Sequence, residues 1–181
     1  MSKKIIILNG PARCGKDTAA EAITNYLGAE NVAHIKLSQP LKDITSLVMG
    51  QPSSMLELSK DFNTFKGMTY RDMQIMVFNE FAKYLGQDWL GELFVRTIQN
   101  EERDYIVCSD GGRPEDMQKA FQVFPKGSIM VVQIMREGCY FDHDIRMYIS
   151  APRAVMKHVV NDSIASYTAK VIDMAAEFYG E

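Results

Sequence analysis

The sequence has few cysteines and no long hydrophobic run. Its three cysteines, Cys14, Cys108 and Cys139, are widely spaced and include no CxxC pair. An odd number of cysteines at such spacing predicts free thiols in a reducing compartment, not a secreted disulfide framework. The apolar run near the N-terminus, residues 5–8, is too short for a signal-peptide core or a membrane span. We therefore expect a cytoplasmic protein with no membrane association.

The chain also lacks an excess of basic residues. Its 20 Lys and Arg against 23 Asp and Glu give a net charge of −3, which argues against a broad basic surface for nucleic acid but leaves room for a local patch. With 181 residues, 46% hydrophobic and 24% charged, the composition excludes intrinsic disorder, collagen and small disulfide scaffolds. We expect a single globular domain over residues 1–181.

Short apolar runs alternate with stretches of helical periodicity along the whole chain. The predicted strands are 3–9, 32–37, 104–108, 128–135 and 158–160. The predicted helices are 15–27, 41–49, 69–85, 89–99, 114–123 and 163–178. This alternation predicts an α/β fold with a doubly wound parallel sheet and helices on both faces.

Three stretches of the sequence do not follow this alternation. Residues 50–54 are predicted to be a loop, 55–68 have no clear pattern, and 136–153 are irregular and polar, like a short lid. In the helix predicted to start near Thr69, Met73, Val77, Phe81 and Leu85 form one apolar stripe, which we assign to the core.

A glycine-rich segment joins the first predicted strand to the first predicted helix and fits the pattern GxxxxGK. In such loops the glycines let successive backbone N–H groups converge on a phosphate at the positive end of a helix. The alternative is an ordinary strand-to-helix turn. We predict a nucleotide phosphate site formed by Gly10, Pro11, Ala12, Arg13, Cys14, Gly15, Lys16, Asp17 and Thr18, with Lys16 reaching the β- and γ-phosphates.

Asp17 stands where this motif usually has serine or threonine. A carboxylate beside a triphosphate is repulsive unless a divalent cation lies between them, so Asp17 is a candidate Mg²⁺ ligand, with Thr18 as a second candidate. The alternative is that an acidic residue in the first turn only complements the helix dipole.

Asp110 follows the predicted strand 104–108, at the edge where open α/β sheets place their ligands. A carboxylate there can hold a metal-bound water or accept a proton from an attacking hydroxyl. The alternative is an aspartate that starts a turn before two glycines. We therefore treat Asp110 as a candidate catalytic or metal-binding residue.

Four short motifs resemble, in their order, the phage deoxynucleoside monophosphate kinase-like branch of P-loop kinases. They are GKDT at 15–18, Ser38-x-Pro40-Leu41-Lys42, Thr69-x-Arg71 and Ser109-Asp110-x-x-Arg113. The resemblance implies a P-loop NTPase fold of the nucleotide kinase type, ATP as phosphoryl donor and Mg²⁺. It also implies an acceptor pocket between the helix after the second strand and the helix near Thr69, with Lys42, Arg71 and Arg113 as candidates for binding the acceptor or stabilising transferred charge. Taken singly, each of these cations would be assigned to solvated surface.

The segment from Arg136 to Phe141, with Asp144-Ile145-Arg146-x-Tyr148, resembles short phage kinases that act on 5-hydroxymethyluracil in DNA, although a small polar residue is expected where Ile145 stands. Arg136 and Arg146 then become candidates for contacting the DNA, in the host cytoplasm if the protein is phage-encoded. Three hypotheses follow: a kinase of 5-hydroxymethyldeoxyuridine in DNA, a deoxynucleoside monophosphate kinase, and a nucleotide-binding module without transfer activity. The sequence contains no NKxD motif for binding guanine, which argues against a GTPase switch.

Overall fold

The computed structural model describes residues 3–58, 60–62, 64–111, 113–141 and 146–180. The helices are α1 (Lys16–Leu27), α2 (Gln39–Met49), α3 (Ser53–Leu58), α4 (Tyr70–Leu85), α5 (Trp89–Asn100), α6 (Pro114–Val123) and α7 (Ile164–Tyr179). The strands are β1 (Lys4–Asn9), β2 (Val32–His34), β3 (Thr64–Phe65), β4 (Met68–Thr69), β5 (Tyr105–Cys108), β6 (Ile129–Met135) and β7 (Val155–Val160).

The chain divides into two compact units. The sheet unit consists of Met1–Leu37 and Gly91–Glu181, and the helical unit is Ser38–Leu90. The expectation of a single domain, with 136–153 as a lid-like segment, stays a prediction.

A five-stranded parallel sheet in the order β2-β5-β1-β6-β7 forms the centre of the sheet unit. β1 lies in the middle, with Ile5 opposite Ile106 on one side and Ile129 on the other. Because all five strands run the same way, their carboxyl ends meet at one edge, where ligands of open α/β sheets bind. The predicted α/β fold, with a parallel sheet and helices on both faces, is confirmed.

Both faces of this sheet are buried, because successive residues of a strand point to opposite sides. Ile6 and Leu8 pack with buried residues of α1 and α7, such as Ile23 and Val171. The alternate residues Ile5 and Ile7 are equally buried, so the other face is covered as well. Helices α5 and α6 contribute the further buried apolar side chains Phe94, Val95, Ile98, Met117 and Ala120. Such two-sided burial requires the continuous apolar run that β1 has.

Helix α4 begins as its sequence predicts and then departs from the prediction. Thr69 is the N-cap: its hydroxyl accepts a hydrogen bond from Asp72 N at 3.1 Å, and Thr69 N donates to Asp72 Oδ2 at 3.2 Å. Met73 and Val77 are buried, as predicted for the stripe. Phe81 and Leu85 are 41% and 59% exposed, so their assignment to the core is wrong. The apolar stripe thus extends towards the C-terminal end of α4, beyond the part of the helix that is buried by other residues.

Two other predictions are corrected. Residues 50–54 are not wholly loop, because α3 begins at Ser53 and is anchored by the buried Leu56. The last strand, predicted at 158–160, begins at Val155, since it pairs with β6 over the whole length from Met130 to Met135. Part of 55–68 is a β3–β4 hairpin that turns at Lys66 and Gly67, both with positive φ.

All three cysteines are free, as predicted. Within the described residues, no helix combines the length and apolarity needed to cross a bilayer. The motif residues Asp144 and Ile145 lie outside the described residues.

Replacing Thr69 with alanine removes the hydrogen bonds of its hydroxyl with Asp72 N and Asp72 Oδ2 at the start of α4 and leaves the bond from Thr69 N to Asp72 Oδ2. We expect Thr69→Ala to lower the free energy of unfolding by about 1 kcal/mol in denaturant titrations. Thr168→Ala is the matched control, because the Thr168 hydroxyl bonds only to carbonyls of its own helix, at Ile164 and Ala165. Equal losses in the two variants would contradict a special contribution from the α4 cap.

Candidate functional site

The predicted phosphate loop leaves the carboxyl end of the central strand β1 and ends at the first turn of α1. Gly15 is the N-cap of α1 with φ 108°, in the left-handed region that glycine adopts most easily. Gly10 is required for a different reason: a Cβ there would lie 2.6 Å from Ile134 O and 2.7 Å from Cys14 Sγ. Backbone conformation at one end and close packing at the other thus account for the two glycines of the motif.

Three carbonyl groups in the second half of this loop, those of Arg13, Cys14 and Gly15, accept hydrogen bonds from side chains of the C-terminal third of the chain. Gly15 O also accepts the helical hydrogen bond from Ala19 N at 3.0 Å. Asn161 Nδ2 donates to Cys14 O at 2.8 Å, Tyr167 Oη to Gly15 O at 2.9 Å, and Arg136 Nη1 to Arg13 O at 3.1 Å. In a trans peptide unit the N–H points away from the C=O. The N–H groups of Gly15 and Lys16 therefore point to the opposite side. Like other N–H groups at the start of a helix, they have no carbonyl acceptor within α1. This arrangement suits an anion.

Lys16 is folded back onto the beginning of the loop. Its Nζ donates to Gly10 O at 2.8 Å and to Pro11 O at 2.6 Å, and lies 3.8 Å from Cys14 Sγ. Burial raises the pKa of the Cys14 thiol, which argues against a nucleophilic thiolate inside the loop. The ammonium group is thus held against the beginning of the loop by two neutral carbonyl acceptors.

Asp17 has two differently placed carboxylate oxygens. Oδ1 accepts hydrogen bonds from Lys36 Nζ at 2.9 Å and Ser109 Oγ at 2.8 Å. Burial opposes ionisation and is the largest single influence, but the two hydrogen bonds outweigh it and lower the pKa of Asp17. Among the described residues, Oδ2 accepts no hydrogen bond. The carboxylate is therefore oriented through one oxygen and keeps the other for a ligand.

Ser109 is also in contact with His34. His34 Nε2 lies 2.8 Å from Ser109 Oγ, and since the hydroxyl gives its proton to Asp17, the imidazole must donate from Nε2. Burial and the nearby Lys36 lower the pKa of His34, so the ring is neutral at neutral pH. The chain His34–Ser109–Asp17 is thus a directed set of hydrogen bonds that ends on the candidate metal ligand.

Asp110 lies at the same edge, after β5. Its Oδ1 accepts a hydrogen bond from Leu37 N at 2.7 Å, and the fully buried Cys108 thiol lies 3.4 Å from the same oxygen. Among the described residues, no group of three or more His, Cys, Asp or Glu side chains could hold a metal ion. A magnesium ion bound with phosphates needs only one or two protein carboxylates, and Asp17 and Asp110 provide that donor type. Their metal-binding role stays a prediction.

Arg113 is engaged by its own helix. Its guanidinium donates to Asp116 through Nε at 3.1 Å and Nη2 at 2.9 Å, and this hydrogen bonding is the main cause that raises the pKa of Arg113. Asp116 is only 4% exposed. The pair anchors the start of α6, and a catalytic role for Arg113 stays a prediction.

The two arginines predicted to contact DNA differ in position. Arg136 follows β6 and contacts the phosphate loop at Arg13 O. Arg146 is half-buried and stands just before a segment, 147–151, that is hydrogen-bonded to the sheet edge. Their role toward an acceptor stays a prediction.

The remaining candidates, Lys42 and Arg71, belong to the helical unit. Lys42 Nζ pairs with Glu57 Oε1 at 3.0 Å, and Arg71 Nε with Asp61 Oδ1 at 2.9 Å. In this unit α2 packs on α4, and the packing encloses polar atoms. The buried hydroxyl of Thr45 has no hydrogen-bond partner among the described residues, and the Tyr70 phenol interacts with the hydroxyl of Ser46.

Buried polar atoms are nearly always satisfied, by protein groups, ordered water or a ligand. Thr45 and Tyr70 are completely buried, and burial is the main cause that raises the pKa of the Tyr70 phenol. Their position on α2 and α4 matches the two helices between which the resemblance implies an acceptor pocket. An acceptor pocket between these helices stays a prediction.

Several residues of the site have no local signal in the sequence. Asn161 and Tyr167 are 147 and 152 positions from the loop residues that they hold. Asn161 comes directly after β7, and a polar residue after a buried strand is the one hint that could have identified it. His34 and Lys36 lie after or at the end of β2, which only the strand order brings beside Asp17.

Comparisons with known proteins give structural similarities alone. Neither a protein-family model nor a curated protein sequence matches this chain. A gluconokinase from Sinorhizobium meliloti 1021 is 15% identical with a TM-score of 0.48, covering 97% of this chain and 92% of its own. A sugar kinase from Janibacter sp. HTCC2649 is 8% identical with a TM-score of 0.47, covering 99% and 95%. A dephospho-CoA kinase from Campylobacter jejuni is 16% identical with a TM-score of 0.45, covering 98% of each chain. At these values the similarities indicate neither a substrate nor a reaction.

Removing the hydroxyl that holds Gly15 O should weaken phosphate binding. We expect Tyr167→Phe to reduce the affinity for ATP by up to about tenfold in calorimetric titration, the equivalent of one net hydrogen bond. Tyr179→Phe is the matched control, because this buried tyrosine of the same helix donates instead to Ile106 O at 2.8 Å. Unchanged ATP affinity in Tyr167→Phe would show that this hydrogen bond does not shape the loop.

Proposed function

We propose that this protein is an ATP- and Mg²⁺-dependent kinase that transfers a phosphoryl group to a deoxynucleotide-type acceptor. The favoured acceptor is the 5-hydroxymethyl group of 5-hydroxymethyldeoxyuridine in DNA, a step toward hypermodified thymidine. The observation that carries the proposal is the phosphate loop, whose carbonyls are held outward by Asn161, Tyr167 and Arg136 while Lys16 and Asp17 stand at its end.

The donor side follows from the charges of this loop. The N–H groups of the loop and of the first turn of α1 would bind the phosphates, and Lys16 would exchange its two carbonyl acceptors for phosphate oxygens. Asp17 Oδ2, with Asp110 nearby on the same sheet edge, supplies the oxygen ligands that Mg²⁺ prefers. When bound, the ion neutralises charge on the β- and γ-phosphates.

The transfer itself needs an acceptor hydroxyl and a proton acceptor. A bond forms between the hydroxyl oxygen and the γ-phosphorus, the bond to the oxygen that bridges the β- and γ-phosphates breaks, and ADP leaves. Asp110 is the candidate to accept the hydroxyl proton, because Leu37 N fixes its carboxylate at the carboxyl edge of the sheet. Lys16 would stabilise the negative charge as it moves to the leaving oxygen.

The nature of the acceptor is supported by resemblance and by charge. The segments around 136–141 and 146–148 resemble kinases of 5-hydroxymethyluracil in DNA, and Arg136 contacts the phosphate loop. A deoxynucleoside monophosphate kinase is the second candidate, favoured by the net charge of −3 and by the buried hydroxyls of Thr45, Ser46 and Tyr70 on α2 and α4. These hydroxyls suit a small polar molecule.

The deciding experiment follows the label from γ-labelled ATP. Wild type is incubated with 5-hydroxymethyluracil DNA, ordinary DNA and each deoxynucleoside monophosphate at several salt concentrations. We expect label in the modified DNA, with single strands reacting at least as well as duplex, because the enzyme must reach the hydroxymethyl group from a groove or take the base out of the stack. Rates limited by DNA binding should fall steeply with salt, whereas a monophosphate gives a shallow dependence.

In Lys16→Ala, kcat should fall by roughly 10² or more.

Each other result has a definite meaning. Label only in a free monophosphate would replace the DNA hypothesis by the second candidate. ATP binding without label in any acceptor would leave a nucleotide-binding module. Wild-type turnover in folded Lys16→Ala would contradict the phosphate loop as the donor site.

Asp17 can be tested through its metal requirement. We expect Asp17→Ala to raise the Mg²⁺ concentration needed for tight ATP binding, and Asp17→Ser to restore much of it, because a hydroxyl also ligates Mg²⁺. Glu115→Ala is the control, since Glu115 is likewise an acidic residue in the first turn of a helix. Identical Mg²⁺ titrations of wild type and Asp17→Ala would reduce Asp17 to a helix-terminal charge worth about 0.3 to 1 kcal/mol.

A further inference from the structure

Residues 147–151, directly after the candidate acceptor residue Arg146, are attached to the edge of the sheet. Ile149 and Ala151 are 1% and 4% exposed. Tyr148 Oη donates to Ile134 O at 3.2 Å, and the Tyr148 ring meets Phe141 edge to face at 5.0 Å between centroids. This part of the polar segment is therefore a fixed layer beside the phosphate loop.

Asn9 makes the principal attachment. It is the last residue of β1, adjoins Gly10 of the phosphate loop and is 1% exposed. Its Oδ1 accepts from Ile149 N at 2.9 Å, while Nδ2 donates to Met147 O at 3.2 Å and, more weakly, to Gly111 O at 3.4 Å. One side chain thus joins the phosphate loop, residues 147–149 and the turn that contains Asp110.

Gln133 makes the second attachment from the neighbouring strand. It lies directly opposite Asn9 in the parallel pairing of β1 and β6. Its Nε2 donates to Ile149 O at 2.8 Å. The N–H and C=O of Ile149 are therefore held by two amide side chains on adjacent strands, an arrangement that we name the amide clamp (Asn9, Gln133 and the backbone of Ile149).

At Asn9 the chemistry of the clamp requires an amide. Asn9 must accept from an N–H and donate to carbonyl oxygens with the same group, which a carboxylate or an apolar side chain of the same size cannot do. Hydrophobic packing alone would hold residues 147–151 more simply, since buried polar groups cost free energy unless every partner is present. What the amides add is a defined register between three segments that meet at the candidate site.

We propose that Asn9 and Gln133 are positioning residues for phosphoryl transfer, which fix Arg146 and the Asp110 turn relative to the phosphate loop through the amide clamp. This inference rests on the proposed kinase function. Misplacing reacting groups by about 1 Å can reduce turnover roughly 10²-fold, so the clamp should act on kcat more than on ATP affinity.

The test uses near-isosteric variants of the full chain. In Asn9→Asp the second oxygen would face the carbonyls of Met147 and Gly111, and in Gln133→Met the carbonyl of Ile149 loses its donor. We expect kcat to fall at least about tenfold in both, with the KM for ATP within about threefold of wild type. The double variant should lose less than the product of the single effects, because both act on Ile149.

Ser128→Ala is the matched control for a purely structural role. Ser128 is buried and precedes the amino end of β6, where its hydroxyl donates to Pro125 O at 2.7 Å. This variant should lose stability and keep its kcat. The proposal is wrong if the clamp variants behave in the same way, that is, if their Tm is lower but their kcat, measured well below that Tm, is unchanged.

Amide hydrogen exchange provides a readout that needs no acceptor. In wild type, ATP should increase the protection of residues 147–151 together with the loop at 10–15, and in Gln133→Met it should protect the loop alone. This measurement decides the inference even if Asn9→Asp does not fold. It also separates the two claims: absence of transfer to every acceptor overturns the proposed function, whereas absence of coupled protection overturns the clamp.

Discussion

The direction of a few peptide carbonyls controls what this protein can bind. A polyanion needs converging hydrogen-bond donors, and backbone N–H groups converge only if the carbonyls of the same peptide units point elsewhere. Arg13, Cys14 and Gly15 have their carbonyls held outward by Arg136, Asn161 and Tyr167. Arg136 follows β6, Asn161 follows β7 and Tyr167 lies on α7. The conformation of the phosphate loop therefore depends on the carboxyl end of the sheet being assembled around it.

The charged groups of the candidate site are compensated within the protein, at modest strength. Lys16 rests on two neutral carbonyls, and Asp17 pairs with Lys36, with side chains 66% and 30% exposed. An exposed ion pair such as Lys36–Asp17 contributes about 0 to 1 kcal/mol, so the proposed exchange of Lys36 for a metal ion would cost little. The directed hydrogen bonds from His34 and Ser109 keep Asp17 oriented throughout.

Sequence predicts those parts of the molecule whose cause is local. The run Ile5–Leu8, the glycines at 10 and 15 and the periodicity of α1 lie within one continuous segment, and strand, loop and helix follow as expected. The cap at Thr69 is equally local. The supports of the site are not: Asn161 meets Cys14, and Asn9 meets Ile149, only because β1, β6 and β7 are neighbours in the sheet. Strand order is a property of the whole chain, and no spacing between residues encodes it.

The same reasoning distinguishes among the candidate cations. Arg113 pairs with Asp116, whose side chain is 5% exposed, and removing Arg113 would leave a buried carboxylate without this partner, which destabilises the fold. Arg113 is therefore expensive to recruit to a substrate, and loss of activity on its removal would reflect the folding of α6 as readily as catalysis. Lys16 carries no such constraint, since its hydrogen-bond acceptors are neutral groups. The present partners of each cation, more than its place in a motif, thus favour Lys16 at the phosphate loop as the group that would bind a nucleotide.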